Sequence, residues 1–298
     1  MKKAVITGAT GYIGSNLLNY LLPKGWDISI IAQPKFGYEN IIDQRERIRI
    51  MEYDGDIHTL ISFFKEQNPD VVFHLASANI FDYTPEQVDV LIQSNILFGT
   101  QVLEAMKYAT TRLLINTGTY WQSYHSDTYN PVDLYAATKE AFEKIIQYYV
   151  DAHGFRIITL RLFDVYGEND KRPKLLNQLR RIAETGESLD VSPGEQYLDM
   201  VHILDVCSAY LRAYELLSTD TKIKNKIYGV YSGNRIMLKD MINQFQEVLA
   251  QPLNVNFGGK KYKKREIMMP TNNYEKLPNW KVEISLMDGL NLFNKRFS

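Results

Sequence analysis

Tyr135 and Lys139 stand four positions apart in the run Tyr135-Ala136-Ala137-Thr138-Lys139. On a helix that spacing puts phenol and ammonium on one face. A cation beside a phenol favours the phenolate. Moving a phenol from ~10 to ~7 takes about 4 kcal/mol, to which Lys139 and a nearby oxidised nicotinamide could both contribute. Such a tyrosine could exchange a proton with a hydroxyl or carbonyl while a hydride moves. Tyr20 and Lys24 share the spacing, but lie beside Pro23 at the end of a helix and read as structural.

The sharpest pattern is Thr7-Gly8-Ala9-Thr10-Gly11-Tyr12-Ile13-Gly14, directly after an apolar run and at the start of an amphipathic one. Gly8 allows a tight turn, Gly11 lets backbone approach a pyrophosphate, and Gly14 allows close helix–strand packing. The helix N-terminus favours the negative charge. A site for NAD usually carries a carboxylate at the end of the second strand. Here that stretch is Ile31-Ala32-Gln33-Pro34-Lys35, where Lys35 could attract a 2′-phosphate. The pattern points to NADP(H), with NAD(H) as the alternative. In Ile115-Asn116-Thr117-Gly118-Thr119-Tyr120-Trp121-Gln122, Thr117 and Thr119 compete to bond a reacting oxygen at a strand end.

These residues need a scaffold, and the first half of the chain has one. Strand-like runs at 3–6, 28–31, 48–51, 70–75, 113–115 and 157–160 alternate with helical patterns at 12–22, 58–67, 88–108 and 134–153. The rhythm predicts an α/β fold with a doubly wound parallel, Rossmann-type sheet. The cofactor domain is expected over 1–166, with about 199–217 packing back on it. A smaller substrate-binding lobe is expected over 167–298.

Composition removes other classes. The 298 residues are 45% hydrophobic and 23% charged, with 34 Lys+Arg against 35 Asp+Glu, so the chain is globular and has no basic excess for nucleic acid. No apolar run reaches ~18 residues and no signal peptide is evident, so no membrane partner and a cytoplasmic location are expected. Cys207 is the only cysteine, and the five histidines lack metal-ligand spacing, so no metal is expected. No Gly-x-Ser-x-Gly elbow marks a hydrolase.

Together the glycine start, the Tyr-x-x-x-Lys helix, His74-Leu75-Ala76-Ser77, Arg161-Leu162-Phe163-Asp164-Val165-Tyr166-Gly167 and Asp199-Met200-Val201-His202-Ile203-Leu204-Asp205-Val206 resemble an extended short-chain dehydrogenase/reductase of the NAD-dependent epimerase/dehydratase family. The resemblance runs on through 280–290. It implies that Tyr135 is the acid/base, that Lys139 is its partner and holds the nicotinamide ribose, and that Thr117 is the catalytic hydroxyl. It places Asp56 and Ile57 at adenine, Leu75, Ala76 and Ser77 over the cofactor phosphates, Asn95 near the active site, Leu162 at the cofactor, and Thr119 and Asp164 at the sugar nucleotide. It also implies a homodimer through helices 88–108 and 134–153.

The departures narrow the activity. Family dehydratases follow the catalytic Thr with Asp-Glu; here Gly118-Thr119 follow, so dehydration is not expected. Where many epimerases hold the diphosphate with Arg, this chain has Leu198, leaving Arg265 for the role. The segments Gly194-Glu195-Gln196 and Lys264-Arg265-Glu266-Ile267-Met268 are most similar to the reductases that make CDP-linked 3,6-dideoxyhexoses for surface polysaccharides, which puts Gln196 at the substrate. The resemblance thus implies reduction of a 4-keto nucleotide sugar, with 4-epimerisation on bound NAD as the alternative. A catalytically silent NADP-binding regulator would have no need of Thr117, Tyr135 and Lys139.

Overall fold

A computed structural model describes residues 1–33, 37–110, 112–126, 128–271 and 273–295. The first half lays down β1 (Lys3–Thr7), α1 (Tyr12–Leu21), β2 (Asp27–Ala32), β3 (Arg49–Glu52), α2 (Ile57–Gln67) and β4 (Val71–His74). Next come α3 (Val88–Ile92), α4 (Phe98–Met106), β5 (Leu113–Thr119), α5 (Leu134–His153) and β6 (Arg156–Leu162). The second half adds β7 (Asp164–Tyr166), α6 (Leu175–Thr185), β8 (Leu189–Val191), β9 (Tyr197–Leu198) and β10 (Met200–His202). It ends with α7 (Ile203–Thr219), β11 (Asn225–Val230), β12 (Ile236–Met237), α8 (Leu238–Leu249), β13 (Val255–Phe257) and α9 (Leu286–Lys295).

Seven strands form one parallel sheet in the order β3–β2–β1–β4–β5–β6–β11. Side chains alternate across it. Ala4 and Ile6 face the layer of α1 and α7 with Leu17, Leu18 and Val206, whereas Val5 faces α2, α4 and α5 with Leu60, Val102 and Phe142. Both faces are covered, which is why β4 is buried along its length and apolar from Val71 to Phe73. The strand order reverses between β1 and β4, and ligands bind beyond the strand ends at such a switch point.

The predicted doubly wound sheet is therefore present, and the chain returns to it for longer than the sequence suggests. After α7 packs on α1, β11 pairs with β6 as the seventh strand. The remainder forms a smaller lobe with its own core of Leu179, Ile182, Met241, Phe245 and Phe293. The Asp205 carboxylate accepts from the Glu283 and Ile284 amides at 3.0 and 3.1 Å, tying the C-terminal segment to α7.

The stretch read as one helix over 88–108 is continuous to Met106, but Gln93–Leu97 is a π-helical turn. Its centre, Asn95, is buried and points inward. π-Turns of this kind recur where a helix must aim a side chain at a site.

Candidate active site

A cavity of about 460 Å³ opens at the switch point, bounded by the glycine loop, the ends of β5 and β6, the start of α5 and the edge of the smaller lobe. Gly8 has φ of +71°, and a Cβ there would come within 2.6 Å of the Ala76 amide. A Cβ on Gly14 would overlap the Gly8 carbonyl. The two glycines thus bring the loop against the segment after β4 and the helix against the loop. Gly11 caps α1 without a side-chain bond, so first-turn amides face the cavity with no competing cap. This bare helix N-terminus fits the pyrophosphate of a dinucleotide. Gly8, Gly11, Tyr12, Ile13, Gly14, Leu75, Ser77 and Leu162 all line the same space.

Asp133 starts α5 by accepting from the Ala136 amide at 2.8 Å. The first turns of that helix then present Tyr135 and Lys139 to the cavity. Lys139 is only 1% exposed. Burial pulls its ammonium down to about 8, while Glu143 pulls it back up. Tyr135 lines the same wall. Burial, then Asp133, push its phenol above the ordinary value, with Ser77 and Arg172 opposing. Loss of water around the ring outweighs the Ser77 bond and the Arg172 charge, so the phenol is held in its protonated form. Neighbouring His74 bonds Thr7 Oγ1 at 2.9 Å, and burial with Lys139 takes it down to about 3, leaving it neutral. The competing pair is elsewhere: Lys24 Nζ lies 4.0 Å over the Tyr20 ring at the end of α1.

Asn95 holds this corner together. Its Oδ1 accepts from Ser77 Oγ at 3.0 Å and the Ala78 amide at 2.7 Å, and its Nδ2 donates to the Ala78 carbonyl and to Thr138 Oγ1. Thr138 in turn donates to the Tyr135 carbonyl at 2.7 Å. Its polar atoms are committed to positioning the loop and α5. Phe81, which the sequence did not single out, packs edge-on to Tyr135 at 5.8 Å and against Trp121 at 4.7 Å.

Thr117 and Thr119 both line the cavity, with different surroundings. Thr117 donates to the His74 carbonyl at 2.8 Å and lies 2.6 Å from the Tyr210 hydroxyl. Thr119 Oγ1 accepts from the Trp121 amide at 3.3 Å and caps the turn Tyr120–Gln122. Behind that turn, Gln122 accepts from the Thr119 amide and donates to Glu140 at 2.7 Å and Glu143 at 2.9 Å. Arg161 Nη2 donates to the same two carboxylates at 2.8 and 2.7 Å. A buried Arg–Glu–Glu–Gln cluster thus joins β5 and β6 to the helix that carries Tyr135.

On the opposite side Asp164 and Gln196 line the cavity. Asp164 accepts from the Tyr120 hydroxyl at 3.2 Å and the Asp199 amide at 3.2 Å. Burial raises its carboxyl to about 6, against the Asp199 amide, Lys174 and Tyr120. A carboxyl raised on folding contributes stability at low pH that is lost as pH rises through its folded value. Asp164→Asn, which keeps both bonds, is therefore expected to raise the melting temperature by a few degrees at pH 7.5, with the gain shrinking by pH 4.5. An unchanged difference across that window, read by thermal unfolding, would contradict the assignment.

Besides Lys139, the cavity wall carries Arg172 and Lys174, from the loop before α6. Lys174 Nζ lies 4.6 Å from the Phe81 ring, and Arg172 sits over Tyr12 at 4.5 Å. Arg265 is not on the wall. Its guanidinium bonds Asn130 and stacks on Tyr124 at 4.3 Å. Of the other residues assigned from the sequence, Thr10 accepts from Asn40 through its carbonyl, and Asp56 caps α2 through His58. Ile57 packs against the core of the α2 face, Ala76 lies against the glycine loop, and neither they nor Gln33 line the cavity. Lys35 lies outside the described residues. A basic stretch before an amphipathic helix was the available signal for Arg172 and Lys174; nothing local marked Phe81 or Tyr210.

No helix among the described residues is long and apolar enough to cross a membrane. The described His, Cys, Asp and Glu residues form no group of three suited to a metal.

Residues 4–230 match the sequence profile of the "NAD dependent epimerase/dehydratase family". A CDP-abequose synthase of Yersinia pseudotuberculosis is 27% identical over 92% of this chain and 94% of its own. A UDP-glucose 4-epimerase of Halalkalibacterium halodurans is 23% identical over 84% of this chain and 81% of its own. Among solved structures, the UDP-glucuronic acid 4-epimerase of Bacillus cereus, in complex with UDP-glucuronic acid and NAD, superposes with a TM-score of 0.83 at 22% identity, covering 98% of this chain and 97% of its own.

Proposed function

Because the chain belongs to the NAD dependent epimerase/dehydratase family, we propose that it reduces the 4-keto group of a CDP-linked deoxy sugar, using NADPH. The observation that carries this reading is the convergence of Thr117, Tyr135 and Lys139 on one cavity whose other end is the glycine loop. A bound nicotinamide cofactor supplies the hydride. The chain's own residues do the rest. The glycine loop and the start of α1 hold the pyrophosphate. Lys139 holds the nicotinamide ribose and places a positive charge beside Tyr135. Tyr135, kept protonated by burial, gives its phenolic proton to the sugar oxygen as negative charge develops there. Thr117 orients that oxygen.

Three features support reduction over the family's other reactions. A Cβ on Gly118 would meet Glu143 Oε1 at 2.9 Å and Arg161 Cγ at 3.0 Å, so the position next to Thr117 has no room for the acid a dehydratase needs. β2 runs into Ala32-Gln33 without a carboxylate to repel a 2′-phosphate. Phe81 and Trp121 give the space by Tyr135 an apolar wall suited to a deoxygenated sugar carbon. Lys174 supplies positive charge for the substrate's phosphates, beside Arg172, whose guanidinium is paired with Asp170 at 2.7 and 2.6 Å. The second reading is a 4-epimerase that retains NAD, as the curated and structural epimerase relatives favour.

Cofactor titration separates the two. Dialysed protein is expected to bind NADPH at least tenfold more tightly than NADH and to carry no cofactor through purification. NAD retained through purification, with interconversion of two C4 epimers, would replace the reductase reading by the epimerase.

We also propose a homodimer through the helices over 88–106 and 134–153. Val90, Ile92, Leu97 and Tyr148 on them are 44%, 40%, 51% and 59% exposed. Sedimentation should give twice the chain mass, and Leu97→Glu should halve it.

A further inference from the structure

We propose that Tyr210 is a positioning residue for the C4 reaction, acting through its hydroxyl on Thr117. The inference rests on the reading that Thr117 orients the reacting oxygen. Hydrogen counting carries it. A threonine hydroxyl has one hydrogen and two lone pairs. Thr117 gives its hydrogen to the His74 carbonyl at 2.8 Å, so the 2.6 Å contact with Tyr210 requires the phenol to donate. Tyr210 is fully buried on α7, edge-on to Phe73 at 6.3 Å. Burial keeps its phenol protonated, so it remains a donor.

This arrangement lets Thr117 switch without losing a partner. Its hydrogen can rotate from the His74 carbonyl to an oxygen arriving in the cavity, and the Tyr210 bond fits both positions. A hydroxyl that accepts one hydrogen bond becomes a stronger donor in the next. The chain Tyr210 to Thr117 to substrate oxygen would therefore polarise the oxygen that receives the hydride. Thr119 has no such support: its Oγ1 accepts the Trp121 amide as a turn cap. The sheet geometry explains why Tyr210 can do this. Thr117 points to the α1–α7 side of β5, as Ile115 does, and α7 crosses β5 there.

Tyr210→Phe removes only the oxygen and leaves the ring in its packing. Its kcat on a CDP-linked 4-keto-6-deoxy sugar is expected to fall about tenfold, the worth of one hydrogen bond, with KM within about twofold. The decisive comparison is a double-mutant cycle. Thr117→Val/Tyr210→Phe should be no slower than Thr117→Val alone, whereas Thr119→Val/Tyr210→Phe should show the product of the two single losses. Wild-type rate in Tyr210→Phe, or multiplicative losses with Thr117→Val, would overturn the proposal. A crystal structure of Tyr210→Phe tests it apart from the choice of substrate. Thr117 should leave its present rotamer or split between two; an unmoved Thr117 would overturn the pairing. Failure of the wild type to turn over any 4-keto nucleotide sugar would instead sink the functional reading, with the crystal structure still deciding the Thr117–Tyr210 link.

Discussion

Tyr135→Phe is expected to lower kcat about 10³-fold, within the 10²–10⁴ typical of a lost general acid, or about 4 kcal/mol of barrier. The substitution deletes one oxygen. The ring keeps its edge-on packing with Phe81 at 5.8 Å, and α5 keeps its Asp133 cap. Cofactor affinity should stay within about threefold of wild type, because the glycine loop and Lys139 are untouched. Lys139→Met should behave differently and weaken cofactor binding as well as rate. A Tyr135→Phe rate within tenfold of wild type, measured by single-turnover cofactor oxidation, would mean that another group delivers the proton.

The second large effect is on stability. Arg161→Met should destabilise the fold by about 3–5 kcal/mol, because it strands two buried carboxylates. For a chain of this size that corresponds to a fall in melting temperature on the order of 10 °C. Arg161, Glu140 and Glu143 are all buried, and Gln122 already spends both amide hydrogens on the glutamates. Burial alone would raise the Glu140 carboxyl; bonds from Lys144, Gln122 and Arg161 outweigh it and hold it low. A carboxyl lowered on folding contributes stability above its unfolded value, lost as pH falls through the folded one. The wild-type advantage over Arg161→Met should therefore be largest at neutral pH and shrink towards pH 4. Arg161→Lys should recover little, since an ammonium cannot serve two carboxylates and the Tyr274 hydroxyl in one plane. Adding Glu140→Gln to Arg161→Met should restore part of the loss. Equal melting temperatures for Arg161→Met and wild type at pH 7 would remove the cluster from the account.

What the sequence disclosed was local. The glycine loop, the strand–helix alternation and the Tyr135/Lys139 spacing each lie within about twenty residues, where turn chemistry and periodicity act. What it hid depends on contacts between distant segments. Tyr210 meets Thr117 only because α7 returns to the sheet, and β11 reads as an isolated run until it pairs with β6. Phe81 reaches Tyr135 through a loop whose path no period marks. Arg265, which the resemblance puts at the diphosphate, bonds Asn130 and stacks on Tyr124, while Arg172 and Lys174 line the cavity from a distant loop. The spacing of Tyr135 and Lys139 shows a shared helix face but not the burial that raises the phenol.

The measurement closest to the central claim is cofactor oxidation at 340 nm when the purified protein meets NADPH and a CDP-linked 4-keto-6-deoxy or 4-keto-3,6-dideoxy sugar. The account predicts one NADPH consumed per sugar, a product with a C4 hydroxyl, and loss of the reaction in Tyr135→Phe. Interconversion of C4-hydroxy sugars without net NADPH consumption would contradict it.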